Sequence, residues 1–232
     1  MSKDPGELQK AVDIISTWAL EWNLYIQPTK SQHLFFSSKK PSFSPTFLIY
    51  QNPIPLSDEV NDLGIIFSTN FKWSQHISKI CNKANRIAYT ILRTFSCKSY
   101  KLYVNLFVSY VRPILEYNTC IWSPSLIYNI NRIESVQRKF TKRVCQRANV
   151  KFTSYSDRLQ LLNLDSLEHR RTKFDLIIMY KIYNNLIDVN FHDFFINNLS
   201  SLKYSLRGHN CKLQVPKYSG SSVRQNFFQT VL

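Results

Sequence analysis

The chain is 232 residues long, 44% hydrophobic and 14% aromatic, enough apolar material for one large core or two small ones and too much for a disordered chain. Its four glycines, far below the usual ~7%, argue against glycine-rich phosphate loops and against an all-β fold full of tight turns. Thirty Lys and Arg against 15 Asp and Glu give a net charge of +15, which points to a polyanionic partner, nucleic acid or an anionic membrane.

Asp4-Pro5-Gly6-Glu7 reads as a helix start, with Asp4 as the cap, Pro5 at the first helical position and Glu7 completing a capping box. Leu8, Ala11, Val12, Ile15, Trp18, Ala19 and Trp22 then repeat at helical spacing and predict one apolar face, with Asn23 ending the helix. Residues 24–26 and 33–36 read as strands of a hairpin around Gln27-Pro28-Thr29-Lys30. A polar loop over 37–46 leads to a strand at 47–50 and a turn at Asn52-Pro53. A further strand over 60–67 has Gly64 inside it, where glycine marks a bulge or a close backbone approach.

After Trp73 the pattern is helical throughout. Ser74 is the expected cap of a helix whose stripe is Ile77, Ile80, Ala84, Ile87, Ala88 and Ile91. Lys79, Lys83, Arg86 and Arg93 fall largely on its other side. The next helix covers 98–111 with Leu102, Leu106 and Tyr110 as its face, and Pro113 ends or kinks it. A third, 129–146, turns Ile130, Ile133, Val136, Phe140 and Val144 inward and Arg132, Arg138, Lys139, Lys142 and Arg143 outward. A short helix near 156–162 and a longer one over 166–184 follow. Residues 198–232 are polar and sparse in periodicity, and the chain ends without a helix stop or turn signal, which reads as truncation.

The charge is unevenly placed. Residues 1–71 carry a net −2, residues 72–151 a net +13 and residues 152–232 a net +4. No acid occurs from 63 to 115. A solvated face is the plain alternative, but solvated helices normally alternate sign. Five cysteines (Cys81, Cys97, Cys120, Cys145, Cys211), widely spaced and without a CxxC pair, read as buried free thiols of a reducing compartment. His209 and Cys211 stand two apart but lack a second pair for zinc. The N-terminus has no apolar run for a signal peptide. No stretch of ~18 uncharged apolar residues exists to span a membrane. An intracellular protein of cytoplasm or nucleus is expected, with no membrane partner and no small-molecule substrate.

No complete active site is legible. Two-metal nucleotidyl transfer needs clustered carboxylates, and the one adjacent pair, Asp58-Glu59, sits in a proline-rich turn. Binding is better supported: amphipathic helices with basic outer faces suit phosphate contact. Trp73, Tyr89, Tyr100, Tyr103, Tyr110 and Trp122 among the basic residues could stack on bases if they are not core.

The order of segments resembles the C-terminal part of the reverse transcriptase of non-LTR (LINE-like, jockey-type) retrotransposons. Trp18-Ala-Leu-Glu-Trp-Asn-Leu-Tyr-Ile-Gln-Pro-Thr-Lys30-Ser-Gln-His-Leu-Phe-Phe36 is similar to that family's palm helix, turn lysine and strand. Val60-Asn-Asp-Leu63-Gly64-Ile65, then Phe71-Lys-Trp73-Ser-Gln-His76-Ile77, resembles its primer-grip strands and the start of its thumb. Tyr110-Val-Arg112-Pro113-Ile-Leu115-Glu116-Tyr117, Trp122-Ser123-Pro124, Ile133-Glu134-Ser-Val136-Gln137-Arg138-Lys139-Phe140, Tyr155-Ser-Asp-Arg158-Leu159 and Leu164-Asp-Ser-Leu167-Glu-His-Arg170-Arg171 follow in the family's order. The family's later catalytic motif, (Phe/Tyr)-Ala-Asp-Asp, precedes the helix that starts at Asp4 and is absent here. The turn also departs from the family's Asn-x-x-Lys-Thr: Gln27 and Ser31 replace the Asn and Thr, while Lys30 remains.

The resemblance implies a palm remnant over 1–71, a basic thumb-like region over 72–151 and a helical connector with an irregular tail over 152–232. The expected fold is α+β, predominantly helical, with a small N-terminal sheet before a helical thumb-like bundle. The expected function is that of an RNA-directed DNA polymerase fragment, inactive alone, that retains grip on an RNA or DNA template–primer backbone. Lys30, Lys79, Lys83, Arg86, Arg138, Lys139, Lys142 and Arg143 are the expected contacts. No cofactor is expected in this chain; magnesium belongs to the full-length parent enzyme. The alternatives are a host-retained, non-catalytic nucleic-acid-binding module and a protein-interaction scaffold.

Overall fold

A computed structural model describes residues 4–36, 45–152 and 154–189, with the backbone of the pairs 196–197 and 213–214. The fold is predominantly helical α+β, as expected, and the chain divides into two units, Met1–His76 and Ile77–Leu232.

The first unit begins with helix α1, Pro5–Glu21. Asp4 caps it by accepting the Gly6 N–H at 2.9 Å, and Pro5 occupies the first helical position. Two short antiparallel pairs follow. β1 (Leu48–Ile49) pairs with β2 (Asn52–Pro53), and β3 (Glu59–Asp62) pairs with β4 (Ile65–Ser68). The core is a small cluster of Phe47, Ile49 and Ile54, joined by Val12 of α1, Ile26 and Tyr50. Gln9 ties α1 to β1: its Nε2 donates to the Leu48 carbonyl and its Oε1 accepts the Leu48 N–H, both at 2.9 Å.

Three expectations are corrected here. The hairpin over 24–36 does not form. Pro28–Lys30 is a 3-10 turn that engages the Gln27 carbonyl, and Tyr25 stacks on Tyr50 with ring centroids 4.9 Å apart. Of the second expected strand, only His33 pairs, in an isolated parallel bridge to Leu56. The turn near Asn52-Pro53 lies one step earlier, at Tyr50 and Gln51, both left-handed (φ 49° and 63°), so Asn52 and Pro53 belong to β2. The strand over 60–67 is a hairpin folded back on itself. Leu63 (φ 46°) and Gly64 (φ 88°) supply the two positive φ angles of a tight two-residue turn, so Gly64 is a turn residue rather than a bulge.

The second unit is helical. It holds most of α2 (Ser74–Thr94), then α3 (Tyr100–Leu106), a π-helical turn (Phe107–Val111), α4 (Arg112–Glu116), α5 (Thr119–Trp122), α6 (Ile127–Arg147), α7 (Tyr155–Leu162) and α8 (Leu167–Tyr183). Beyond α8, β5 (Ile196–Asn197) and β6 (Leu213–Gln214) pair antiparallel. The stripe expected on α2 is buried at Ile77, Ile80, Ala84, Ala88 and Ile91 and half-buried at Ile87. Each large aliphatic side chain buried in this way is worth about 1.5–3 kcal/mol.

Pro113 neither ends nor breaks its helix. It has no N–H to donate to the preceding turn, and the π turn absorbs the mismatch: the Arg112 N–H reaches back to the Phe107 carbonyl and the chain continues as α4. The face expected at Leu102, Leu106 and Tyr110 is displaced by one residue. Tyr103, Phe107, Val111 and Leu115 are the buried set, while Leu102 and Tyr110 are exposed. Helix α6 buries the expected Ile133, Val136, Phe140 and Val144, leaves Ile130 half-buried, and turns Asn129, Glu134, Gln137 and Thr141 inward with them.

Helices α7 and α8 start on serine caps. Ser154 and Asp157 form a reciprocal capping box, and Ser166 Oγ accepts the His169 N–H. Cys81 and Cys145 are buried free thiols, with burial pushing Cys81 up to about 11, but Cys97 is exposed between α2 and α3. His209, Cys211, the loop over 37–44 and nearly all of the tail lie outside the described residues. Among the described residues no helix is long and apolar enough to cross a membrane.

Candidate nucleic-acid interface

The segments that carry the family resemblance fold into structural joints. The Leu63-Gly64 turn closes the β3–β4 hairpin. Trp73 meets Phe67 edge-on at 5.6 Å, and His76 Nδ1 accepts the Ile66 N–H at 3.3 Å. Trp122 is fully buried and donates its indole N–H to the Tyr117 carbonyl at 2.8 Å. Arg170 grips Glu116 through two bonds, Nε–Oε1 at 2.5 Å and Nη2–Oε2 at 3.0 Å, with Arg112 Nε 3.8 Å from the same carboxylate.

The buried Glu134 is a second hub. Its carboxylate accepts the Tyr155 hydroxyl and the Leu167 and Glu168 backbone N–H groups, the latter two at 3.3 Å. Those amides open α8, so Glu134 places a negative charge at a helix N-terminus. Gln137 Nε2 donates to Tyr155 Oη at 3.1 Å and to the Asp165 carbonyl at 2.9 Å. Burial and the neighbouring Glu134 hold the Tyr155 hydroxyl far above its ordinary pKa, and burial pulls Arg171 below the guanidinium range. Tyr155 is therefore a neutral donor. These groups pin α6, α7 and α8 together.

Among the described residues no three His, Cys, Asp or Glu side chains gather where they could hold a metal ion. The acids nearest in sequence, Asp58, Glu59 and Asp62, are exposed on and beside β3. The described residues do not fit a two-magnesium centre, and no chemical step is assigned to them.

The basic residues present a surface instead. Lys79, Lys83 and Arg86 stand on α2 at spacings of four and three, so they share one face, and all three are exposed. Arg138, Lys139, Lys142 and Arg143 are exposed on α6, whereas Arg132, expected outward, is half-buried. The sole acid of α6 is Glu134, which turns inward to α8, and α2 has none. Helices α2 and α6 touch at two places, in their N-terminal halves and at their C-terminal ends. The Cys81 thiol is 3.8 Å from the Arg132 carbonyl, and the Arg147 guanidinium donates to the Phe95 carbonyl at 2.6 Å. The two helices therefore run side by side in the same direction. Lys30 is exposed on the 3-10 turn of the first unit, and the other seven belong to the second.

A cavity of about 500 Å³ lies between the C-terminal halves of these helices, lined by Tyr89, Leu92, Arg93, Arg143, Gln146 and Arg147. Of the eight expected contacts only Arg143 reaches it. Arg93 and Arg147 were not among the expected contacts, although Tyr89–Arg93 and Arg143–Arg147 are each four apart, the spacing that stacks side chains on one helical face. Of the aromatics considered for stacking, Tyr103 and Trp122 are core, whereas Tyr89 and Tyr110 are exposed.

No family model matches the chain, and no solved structure matches it. It is 31% identical over 152 residues to "Uncharacterized protein B0403.1" of Caenorhabditis elegans, a span of 66% of this chain and 73% of that one. It is 25% identical over 130 residues to the "Probable RNA-directed DNA polymerase from transposon X-element" of Drosophila melanogaster, covering 55% of this chain and only 14% of that protein. This second likeness, partial and distant, supports a reverse-transcriptase-like relationship.

Proposed function

The chain belongs to the same family as the Caenorhabditis elegans protein B0403.1, and from that premise we propose that it is a C-terminal fragment of a non-LTR, jockey-type reverse transcriptase that binds a template–primer backbone without catalysing its extension. In this reading residues 1–71 are the end of a palm, 72–151 a thumb and 152–232 a connector. The likeness to a transposon polymerase supports the reverse-transcriptase part of the proposal; the non-LTR, jockey-type and C-terminal assignment rests on the order of the resemblance segments. The observation that carries the binding part is the charge arrangement of α2 and α6: nine basic side chains are exposed, and the one carboxylate of the two helices, Glu134, is buried. Neither helix presents an exposed acid to compete for phosphates, and a backbone-directed contact carries little base preference.

The test is binding of a labelled duplex by the full chain over a range of salt. Each phosphate neutralised contributes roughly −0.9 to the log–log slope. Replacing Lys79, Lys83 and Arg86 together by Gln is expected to weaken binding to all sequences alike and to flatten the slope while leaving the circular dichroism spectrum unchanged. A folded triple variant that binds as tightly as the parent at every salt concentration would falsify the grip at these positions. A protein-interaction scaffold would show no salt-dependent binding of either variant. On a primed RNA template with magnesium and nucleotides, no incorporation above background is expected, because the paired carboxylates of a two-metal transfer are missing from the sequence.

A further inference from the structure

The cavity at the C-terminal ends of α2 and α6 differs from the open basic faces beside it. It is concave, three guanidinium groups line it, and none of its lining residues is acidic. Two helix C-termini lie close by, each with about half a negative charge from its unpaired carbonyls. Three full positive charges exceed that, and one of the carbonyls, that of Phe95, is already satisfied by Arg147. Arg147 also donates to the Tyr103 hydroxyl at 2.9 Å, so its guanidinium is held in place before any ligand arrives. Arg93 and Arg143 are exposed, as is Tyr89, at 57%, and the buried Leu92 contributes an apolar part of the lining. The volume lies within the range of small-ligand sites.

We propose that this cavity takes the 5′-phosphorylated terminal nucleotide of a single strand, with the phosphate on Arg93, Arg143 and Arg147 and the base stacked on Tyr89. The inference rests on the nucleic-acid reading above and narrows it to one site and one chemical group. A backbone diester carries a single negative charge and leaves two free acceptor oxygens. A terminal phosphate monoester carries close to two charges near neutrality and three acceptor oxygens, which suits a cavity lined by three arginines, whose guanidinium groups donate in forks. A tyrosine face at the rim accepts any base by stacking, so the site reads the end of a strand and not its sequence.

The probes are two single-stranded oligonucleotides of one sequence, with a 5′-phosphate or a 5′-hydroxyl, titrated into the full chain at fixed salt. The phosphorylated strand is expected to bind about tenfold tighter, the worth of one or two charge-assisted bonds. Arg93→Gln is expected to erase that preference while leaving the circular dichroism spectrum and most of the affinity for the 5′-hydroxyl strand. A nucleoside 5′-monophosphate is expected to displace the phosphorylated strand at lower concentration than inorganic phosphate, because only the former offers a ring to Tyr89. Equal affinity for the two ends, or a preference that survives Arg93→Gln in folded protein, overturns the inference and leaves the backbone-binding proposal standing if both strands bind with a salt slope. Inorganic phosphate competing as well as the monophosphate overturns the stacking of a base. No binding of either strand or of duplex overturns both readings.

Discussion

The two units solve the problem of burying helices in opposite ways. In the second unit α2, α3 and α6 face other helices, and Tyr103, Phe107, Trp122 and Ile133 have essentially no exposed surface. In the first, α1 packs on the small cluster of Phe47, Ile49 and Ile54, and its apolar face stays largely in solvent: Trp18 is 52% and Trp22 67% exposed. Isolated two-stranded pairs give little face for a helix to pack on. Amphipathic spacing shows that a helix can bury a face; whether a partner surface is wide enough is a separate matter, and here only the helical unit supplies one.

The comparison breaks most readily at Phe107. Phe107→Ala is expected to cost about 3–5 kcal/mol, the usual range for a buried aromatic, whereas Trp18→Ala, on an exposed face, is expected to cost no more than about 0.5 kcal/mol. Urea unfolding of the full chain followed by circular dichroism reads both, and equal costs would put α1 in a packed core. Hydrogen exchange sharpens the same contrast, with the amides of α1 and β1–β4 expected to exchange faster than those of α2 and α6.

A smaller effect, about 3 kcal/mol, is expected from Glu134→Gln, which leaves a buried network without its charge. Near-ultraviolet circular dichroism at Tyr155 is the local readout. An unchanged unfolding midpoint would mean the network adds nothing to the second unit. In the first unit Gly64→Ala is expected to cost about 1 kcal/mol, since φ 88° is open to glycine and strained for alanine. A neutral substitution there would mean the hairpin turn is not held in this form.

The smallest expected effect depends on pH. Burial raises the Asp175 carboxyl from its ordinary 3.8 to about 6, with Arg171 offsetting part of the shift. The folded chain therefore holds this proton more tightly than the unfolded chain, and ionisation between about pH 4 and 6 removes stability as pH rises. Asp175→Asn is expected to gain about 1 kcal/mol at pH 7, after allowing for solvent screening of a half-buried group, and nothing below pH 4. A gain independent of pH would assign the effect to packing.

Helix positions were legible from spacing because the runs 77–91, 133–144 and 167–183 alternate apolar and polar residues at helical intervals. The face of α3 was not, because Leu102-Tyr103, Leu106-Phe107 and Tyr110-Val111 put two apolar stripes side by side, and only the packed structure decides between them. Gly64 gave a backbone signal, but Leu63 is not a residue that announces a positive φ. The exposed lysines and arginines could be chosen from opposition to the apolar stripes. The cavity could not, since it joins residues 89–93 to 143–147 through a helix pairing that local patterns do not encode. Glu134 and Gln137 were visible within a resemblance motif, yet their burial became meaningful only once the first amides of α8 and the Asp165 carbonyl supplied their partners.

The parallel pairing of α2 and α6 constrains how the protein is made. Parallel neighbours cannot be joined by a tight turn: a 21-residue helix is about 30 Å long, and the chain must travel back that distance before its partner can begin. The intervening helices supply the return, so residues that touch across the pair, such as Cys81 and Arg132, are 51 positions apart. At ~5–20 residues per second, a ribosome holds α2 without its partner for about 3–10 s. Throughout that interval the nascent chain displays an apolar stripe beside a row of lysines, in the presence of the messenger RNA being translated.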